Sequence, residues 1–273
     1  MNKYDIPTLR KEELSDLAEH IADTYFPDTL VCPHKLAKIY GISSSFEDYG
    51  DAFDGLLEFK EGKFHIYVNS KRVKHIYQAR VRFTMAHEIG HYIIDEHRNP
   101  LMKGLAPSHS SFSNFSSDNE VELEADFFAS SLLLPASRLK KEIHKKKFSF
   151  TLIEALSAKF QTSVTATLLK FASIGNHPIM IVCMINSRIK WFKYSHDFPF
   201  KYIETMPGFK VPEFSSAGQY FYENGIKNVD SSEIVFAEDW FRIRNKEDVR
   251  RQFYEHCIYS DKNKFVMSII WEK

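Results

Sequence analysis

The densest chemistry in the chain lies in the segment Ala86-His87-Glu88-Ile89-Gly90-His91. His87 and His91 are four residues apart, about one turn of a helix, so both rings leave the same face. Two imidazoles so placed can hold one zinc ion. Glu88 stands beside them, where a carboxylate can take a proton from water activated by a metal. The chemistry implied is metal-dependent hydrolysis, with a peptide bond as the first candidate substrate.

H-E-x-x-H also arises by chance on ordinary helices, so its surroundings decide. Ala79, Val81, Phe83, Met85, Ala86, Ile89, Gly90, Ile93 and Ile94 make an apolar helix over about residues 74–96, buried on most sides. Two histidines and a glutamate buried there need partners, and a metal would satisfy all three. Gly90 lowers helix propensity relative to Ala. It leaves room for another backbone or a substrate to come close, or simply for packing.

A catalytic zinc takes three protein ligands and keeps a position for water. His97 follows His91 by six residues, the spacing of H-E-x-x-H-x-x-G-x-x-H. The glycine position of that pattern holds Ile94, a β-branched residue that resists the required turn. His97 therefore reads better as a helix-end residue near the C-terminal dipole. The stronger third ligand lies in Glu122-Leu123-Glu124-Ala125-Asp126. Glu122 and Asp126 share a helix face. The first can bind the metal, and the second can accept a hydrogen bond from the free ring nitrogen of a ligand histidine. Glu124 points roughly 160° away from Asp126 and is the weaker ligand candidate. Asp118, Asn119, Glu120 and Glu122 also suit an ordinary acidic helix start, and both roles can hold together.

With these residues in view, the chain resembles the ImmA/IrrE family of zinc-dependent metallopeptidases. The likeness covers roughly residues 10–170 and runs through Arg80-Val81-Arg82-Phe83-Thr84-Met85-Ala86-His87-Glu88-Ile89-Gly90-His91 and Glu122-Leu123-Glu124-Ala125-Asp126-Phe127-Phe128-Ala129, closing on Leu132-Leu133-Leu134-Pro135. Asp126 stands where the family usually has Asn. The resemblance implies His87, His91 and Glu122 as zinc ligands and Glu88 as general base. It also implies a regulatory peptidase whose protein substrate is a helix-turn-helix transcriptional repressor.

The elements around the site give an expected α+β fold: a zincin-like, mainly helical catalytic domain with a small sheet over residues 1–175, then a β-rich domain over 176–273. Leu14, Leu17, Ala18, Ile21 and Ala22 place a helix over residues 9–26, and Pro33 opens a second helix closed by Gly41. Residues 42–47 can form a strand. Residues 55–60 and 64–69 read as a hairpin, and the strand from Phe64 to Asn69 is the candidate to pair with a substrate backbone. Residues 97–119, with six serines between Ser108 and Ser117, read as a long loop and a candidate lid. A further helix is expected over 136–147, ending in a basic run, and one or two more over 150–171. After Gly175, segments 178–185, 188–194, 234–241 and 264–271 read as strands.

Composition narrows the function class. The 36 basic and 36 acidic residues cancel, which argues against the broad positive field of a nucleic-acid binder. Three scattered cysteines form no metal motif or disulfide framework and fit a reducing cytoplasm. The first residues show no signal-like apolar stretch, and no apolar run reaches 18 residues. The expected function is an intracellular zinc endopeptidase, at a site that iron, manganese or cobalt could also occupy, with Tyr92, His97 or a residue of the Ser-rich loop as candidate oxyanion or substrate contacts. The alternative is a regulator that binds and sequesters a repressor or antitoxin-like partner without cutting it. A DNA-binding regulator acting through the basic run at 140–147 is the weaker rival.

Overall fold

The computed structural model describes residues 6–71, 73, 75, 78–105, 109–111, 119–203, 208–223, 225–229, 231–261 and 264–273. The fold is α+β, and its contacts divide the chain into two units. Residues 2–142 and 154–167 form one, and residues 143–153 and 168–273 form the other.

The first unit begins with α1 (Thr8–Tyr25), which buries Leu14, Ala18, Ile21 and Ala22 along one stripe. Arg138 closes its end, donating to the carbonyls of Ala22 and Phe26 and to Thr29 O just beyond. Next comes α2 (Pro33–Ile39), with Pro33 in its first turn and Gly41 at φ +70° just past its end. The sheet holds β1 (Ser43–Glu47), β2 (Gly55–Lys60), β3 (Lys63–Asn69) and β4 (His109–Ser111), in the order β1-β3-β2-β4. The β2–β3 turn uses Glu61 and Gly62, both at positive φ, as a tight two-residue hairpin requires. β3 is therefore interior, parallel to β1 on one side and antiparallel to β2 on the other. The expectation that β3 offers a free edge to a substrate backbone is overturned: both its ladders are taken, and β1 and β4 are the outer strands.

The motif helix α3 (Ala79–Ile93) is shorter than expected. Its last turn ends at Ile94, which lies in the extended region (φ −73°, ψ 111°), and α4 (Asp95–Met102) begins at once. The chain turns at the position where a glycine was thought necessary, but with a negative φ that a β-branched residue tolerates. The long loop expected from residue 97 is thus partly α4 and partly β4. Residues 106–108 and 112–118, on which a lid would depend, lie outside the described residues.

Helix α5 (Glu120–Leu133) starts at Asn119, whose side chain accepts from Val121 N at 3.1 Å. It packs against both α1 and α3. Helix α6 (Ala136–Ile143) follows, with Glu19 of α1 accepting from the amides of Ala136 and Ser137 at its start. It ends before the basic run does, and Lys145 takes φ +57°. Helices α7 (Phe150–Phe160) and α8 (Val164–Ile174) come next.

The second unit carries an antiparallel sheet of β5 (Ile179–Ile185), β6 (Arg188–Tyr194), β7 (Glu233–Phe236), β8 (Gln252–Ser260) and β9 (Phe265–Glu272), ordered β6-β5-β9-β8-β7. Asn186 and Ser187, both at positive φ, make the β5–β6 turn. Between β6 and β7 lies α9 (Ser216–Tyr222). The strand expected over 234–241 is instead β7 followed by a short helix, α10 (Ala237–Trp240). The Asp239 carboxylate accepts from Phe236 N at 2.7 Å and starts that turn. No helix among the described residues is long and apolar enough to cross a membrane.

Candidate metal centre

Two helices build the site. Helix α3 supplies His87, Glu88 and His91, all buried. Helix α5 lies beside it and supplies Glu122 and Asp126. Gly90 makes the approach close: a Cβ built there would lie 3.1 Å from Phe128 Cδ1 and 3.4 Å from the Ala125 carbonyl oxygen. Arg82, in the first turn of α3, fixes the helix from below through the carbonyls of Val31 (2.8 Å) and Gln161 (3.1 Å).

The ligand-type atoms converge. His87 Nε2 and His91 Nε2 are 3.0 Å apart. Glu122 reaches both, Oε2 at 3.2 Å from His87 Nε2 and Oε1 at 3.4 Å from His91 Nε2. One ligand atom from each of the three residues lies within 4.8 Å of the others, an arrangement that could hold a metal ion. On the other side of the His87 ring, Nδ1–H donates to Asp126 Oδ1 at 2.8 Å. In the neutral ring that bond leaves Nε2 as the lone-pair nitrogen, aimed at a carboxylate and a second imidazole. A metal ion or a proton among these atoms would relieve the crowding of their lone pairs.

The electrostatics carry the same demand. Burial opposes a charged His87, but Asp126 and Glu122 together outweigh it and raise its pKa to about 10. Burial pushes His91 down despite Glu122. Burial would raise Glu122, yet its hydrogen bonds to the two histidines hold it well below the usual carboxylate range. Without a metal the centre recruits a proton. Two imidazoles and a carboxylate with an adjacent glutamate suit a divalent metal ion.

His97 and Tyr92 do not join the convergent group. His97 is buried behind His91, its Nδ1 3.2 Å from His91 Nδ1, the nitrogen facing away from His87. Its Nε2 lies 3.2 Å from Glu124 Oε2, and Arg10 of α1 holds both Glu124 oxygens, from Nε at 2.9 Å and NH2 at 2.8 Å. The helix-end reading of His97 is corrected by this placement at the start of α4. Tyr92 packs its ring against Tyr40 (5.6 Å) and Phe64 (5.0 Å), with Arg98 above it (5.4 Å). Sequence reasoning missed Arg10 and the use of Glu124. A buried histidine without an assigned partner was the available signal.

Residues 66–171, which span both motifs, match the family described as the IrrE N-terminal-like domain, a peptidase family. This segment belongs to the ImmA/IrrE family. The family is described as a peptidase family, and the matched segment contains His87, His91 and Glu122, a group that could hold a metal ion. Comparison with curated proteins gives no match. Among solved structures, a Mycobacterium tuberculosis transcriptional regulator is similar over 96% of this chain and 78% of its own length, at 12% identity and a TM-score of 0.59. At that identity the likeness speaks for the fold.

Proposed function

We propose that this chain is a zinc-dependent endopeptidase that cuts a regulatory protein, a helix-turn-helix repressor being the first candidate. The observation that supports it most is the convergence of His87 Nε2, His91 Nε2 and the Glu122 carboxylate on one buried point, with Glu88 on the same helix. His87, His91 and Glu122 hold the ion, and Asp126 fixes the His87 ring by accepting its Nδ1 proton. A zinc ion there supplies Lewis acidity, polarising a peptide carbonyl and making water a nucleophile near neutral pH. Glu88 takes the proton of the attacking water and passes it to the departing amine nitrogen. Neither Tyr92, set in its aromatic cluster, nor His97, set behind His91, is given the oxyanion role. The repressor class is supported by the family resemblance and would place the reaction in the cytoplasm.

The test is incubation of the purified protein with a candidate helix-turn-helix repressor and zinc, beside a chelated sample and Glu88→Gln. The expected result is cleavage by wild type only. Glu88→Gln should keep its zinc while turnover falls by roughly 10²–10⁴, the usual contribution of a positioned general base. A stable complex in all three samples without cleavage would replace this reading with a regulator that acts by sequestration.

A further inference from the structure

The convergent group leaves open how the His91 ring is oriented. His87 has Asp126 directly on its Nδ1, whereas His91 has another histidine there. We propose that Arg10, Glu124 and His97 form a relay that fixes the tautomer and orientation of His91, which makes His97 a positioning residue of the metal centre. The inference rests on the metal-site reading above.

With His97 neutral, the direction of every bond in the relay follows from its far end. The Arg10 guanidinium can only donate, and it donates to both oxygens of Glu124. A carboxylate so held accepts, so His97 Nε2 carries its proton and donates to Glu124 Oε2 at 3.2 Å. A neutral imidazole has one proton, so His97 Nδ1 is the bare nitrogen. It can only accept from His91 Nδ1, 3.2 Å away. His91 then carries its single proton on Nδ1, and its Nε2 is left with a lone pair directed at His87 Nε2 and Glu122. A guanidinium on α1 thus dictates which nitrogen of His91 can bind a metal.

The position of the parts supports a dedicated use. His97 is 3% exposed, and it can lie there because α3 ends at Ile94 and α4 folds it back onto His91. The Arg10 guanidinium also donates to Glu13 at 3.3 Å and Glu96 at 3.2 Å besides Glu124. It is thereby held in one orientation, and the fork geometry passes that orientation to Glu124.

The experiment measures zinc affinity by chelator competition and the imidazole ¹⁵N spectrum of the zinc-loaded protein. The variants are His97→Leu, His97→Asn and Arg10→Met. Loss of an outer partner of this kind lowers metal affinity roughly 10–100-fold. His97→Leu should fall in that range and lose the protected Nδ1 proton of His91. His97→Asn places an amide oxygen where Nδ1 was and should recover affinity to within about threefold of wild type. Arg10→Met should weaken binding without touching any ligand. A folded His97→Leu with wild-type affinity and an unchanged His91 signal overturns the proposal. If that variant does not fold, equal affinities for Arg10→Met and wild type, or a His97→Asn as weak as the metal-ligand variant Glu122→Ala, overturn it instead. Wild type that takes up no zinc, or Glu122→Ala that binds it normally, would sink the metal-site reading itself and so separates the two failures.

Discussion

Substituting Gly90 by Ala tests whether the close approach of α3 and α5 sets the metal centre. The added methyl would stand 3.1 Å from Phe128 Cδ1 and 3.5 Å from Ala125 Cα. Carbon atoms rest comfortably at about 3.5–4.0 Å, so Phe128 or the helix must give by at least about 0.4 Å. Phe128 is fully buried. Metal–ligand distances tolerate only about ±0.2 Å, so a shift of this size carries Glu122 on α5 out of register with His87 and His91 on α3. The fold suffers less than the site. Overpacking costs about 1–3 kcal/mol, and replacing a helical glycine by alanine returns about 1 kcal/mol. The melting temperature of the metal-free protein should fall by only a few degrees. Zinc affinity should drop about tenfold, which removes about 1.4 kcal/mol of zinc-linked stabilisation at a fixed saturating concentration. The assay is thermal unfolding with and without zinc, together with chelator competition. The double variant Gly90→Ala/Phe128→Leu opens the space again and should bind zinc better than Gly90→Ala alone. Wild-type affinity in Gly90→Ala, or no recovery in the double variant, would refute the argument.

Two further outcomes follow from groups already placed. In the metal-free protein His87 is raised to about 10, with burial opposing and Asp126 and Glu122 prevailing, while His91 is pushed down by burial and Glu122 is held low. Zinc at neutral pH should therefore displace about one proton, from His87, and affinity should rise with pH toward 10; calorimetry in buffers of different ionisation enthalpy checks it, and zero release would contradict it. The same raised pKa stabilises the metal-free fold fully below the unfolded value near 6.5, and that contribution is lost as pH rises through about 10. In the second unit, Glu255 is buried on β8 and accepts from the amides of Ser216 (2.9 Å) and Ala217 (3.3 Å), from Trp240 Nε1 (3.2 Å) and from Ser268 Oγ (2.6 Å). Glu255→Gln turns one acceptor oxygen into a donor facing other donors and should cost about 2–4 kcal/mol, read by denaturant unfolding, while zinc affinity stays unchanged.

The legible parts of the chain were those where one local rule sufficed. The β2–β3 and β5–β6 hairpins were marked by their turn residues, α2 by Pro33 and Gly41, and α5 by Asn119 before its apolar run. Strand β8 was missed because Glu255, His256 and Cys257 are all buried in succession, so the strand shows no clean alternation of polar and apolar residues. Its carboxylate belongs to the core only because Ser216, Ala217, Trp240 and Ser268 converge on it from distant positions, and no window of sequence contains that. Ile94 misled for the opposite reason. A local rule about glycine and positive φ was applied to a turn that uses extended backbone instead.

The metal centre shows the same boundary more sharply. On a helical wheel Glu122 and Asp126 face together and Glu124 faces away, so a rule that considers only α3 and α5 keeps two carboxylates and discards the third. That rule describes the α5 face turned to His87. It contains no information about α4, which returns His97 to the far side of His91, or about α1, which brings Arg10 to Glu124. The three acids at 122, 124 and 126 therefore act on three nitrogen positions. Glu122 faces the convergent Nε2 pair, Asp126 accepts from His87 Nδ1, and Glu124 acts on His91 Nδ1 through His97. The alternation of acids follows from geometry. A ligand ring must be gripped from behind as well as from the metal side, and the grips on two rings one turn apart approach α5 from opposite flanks.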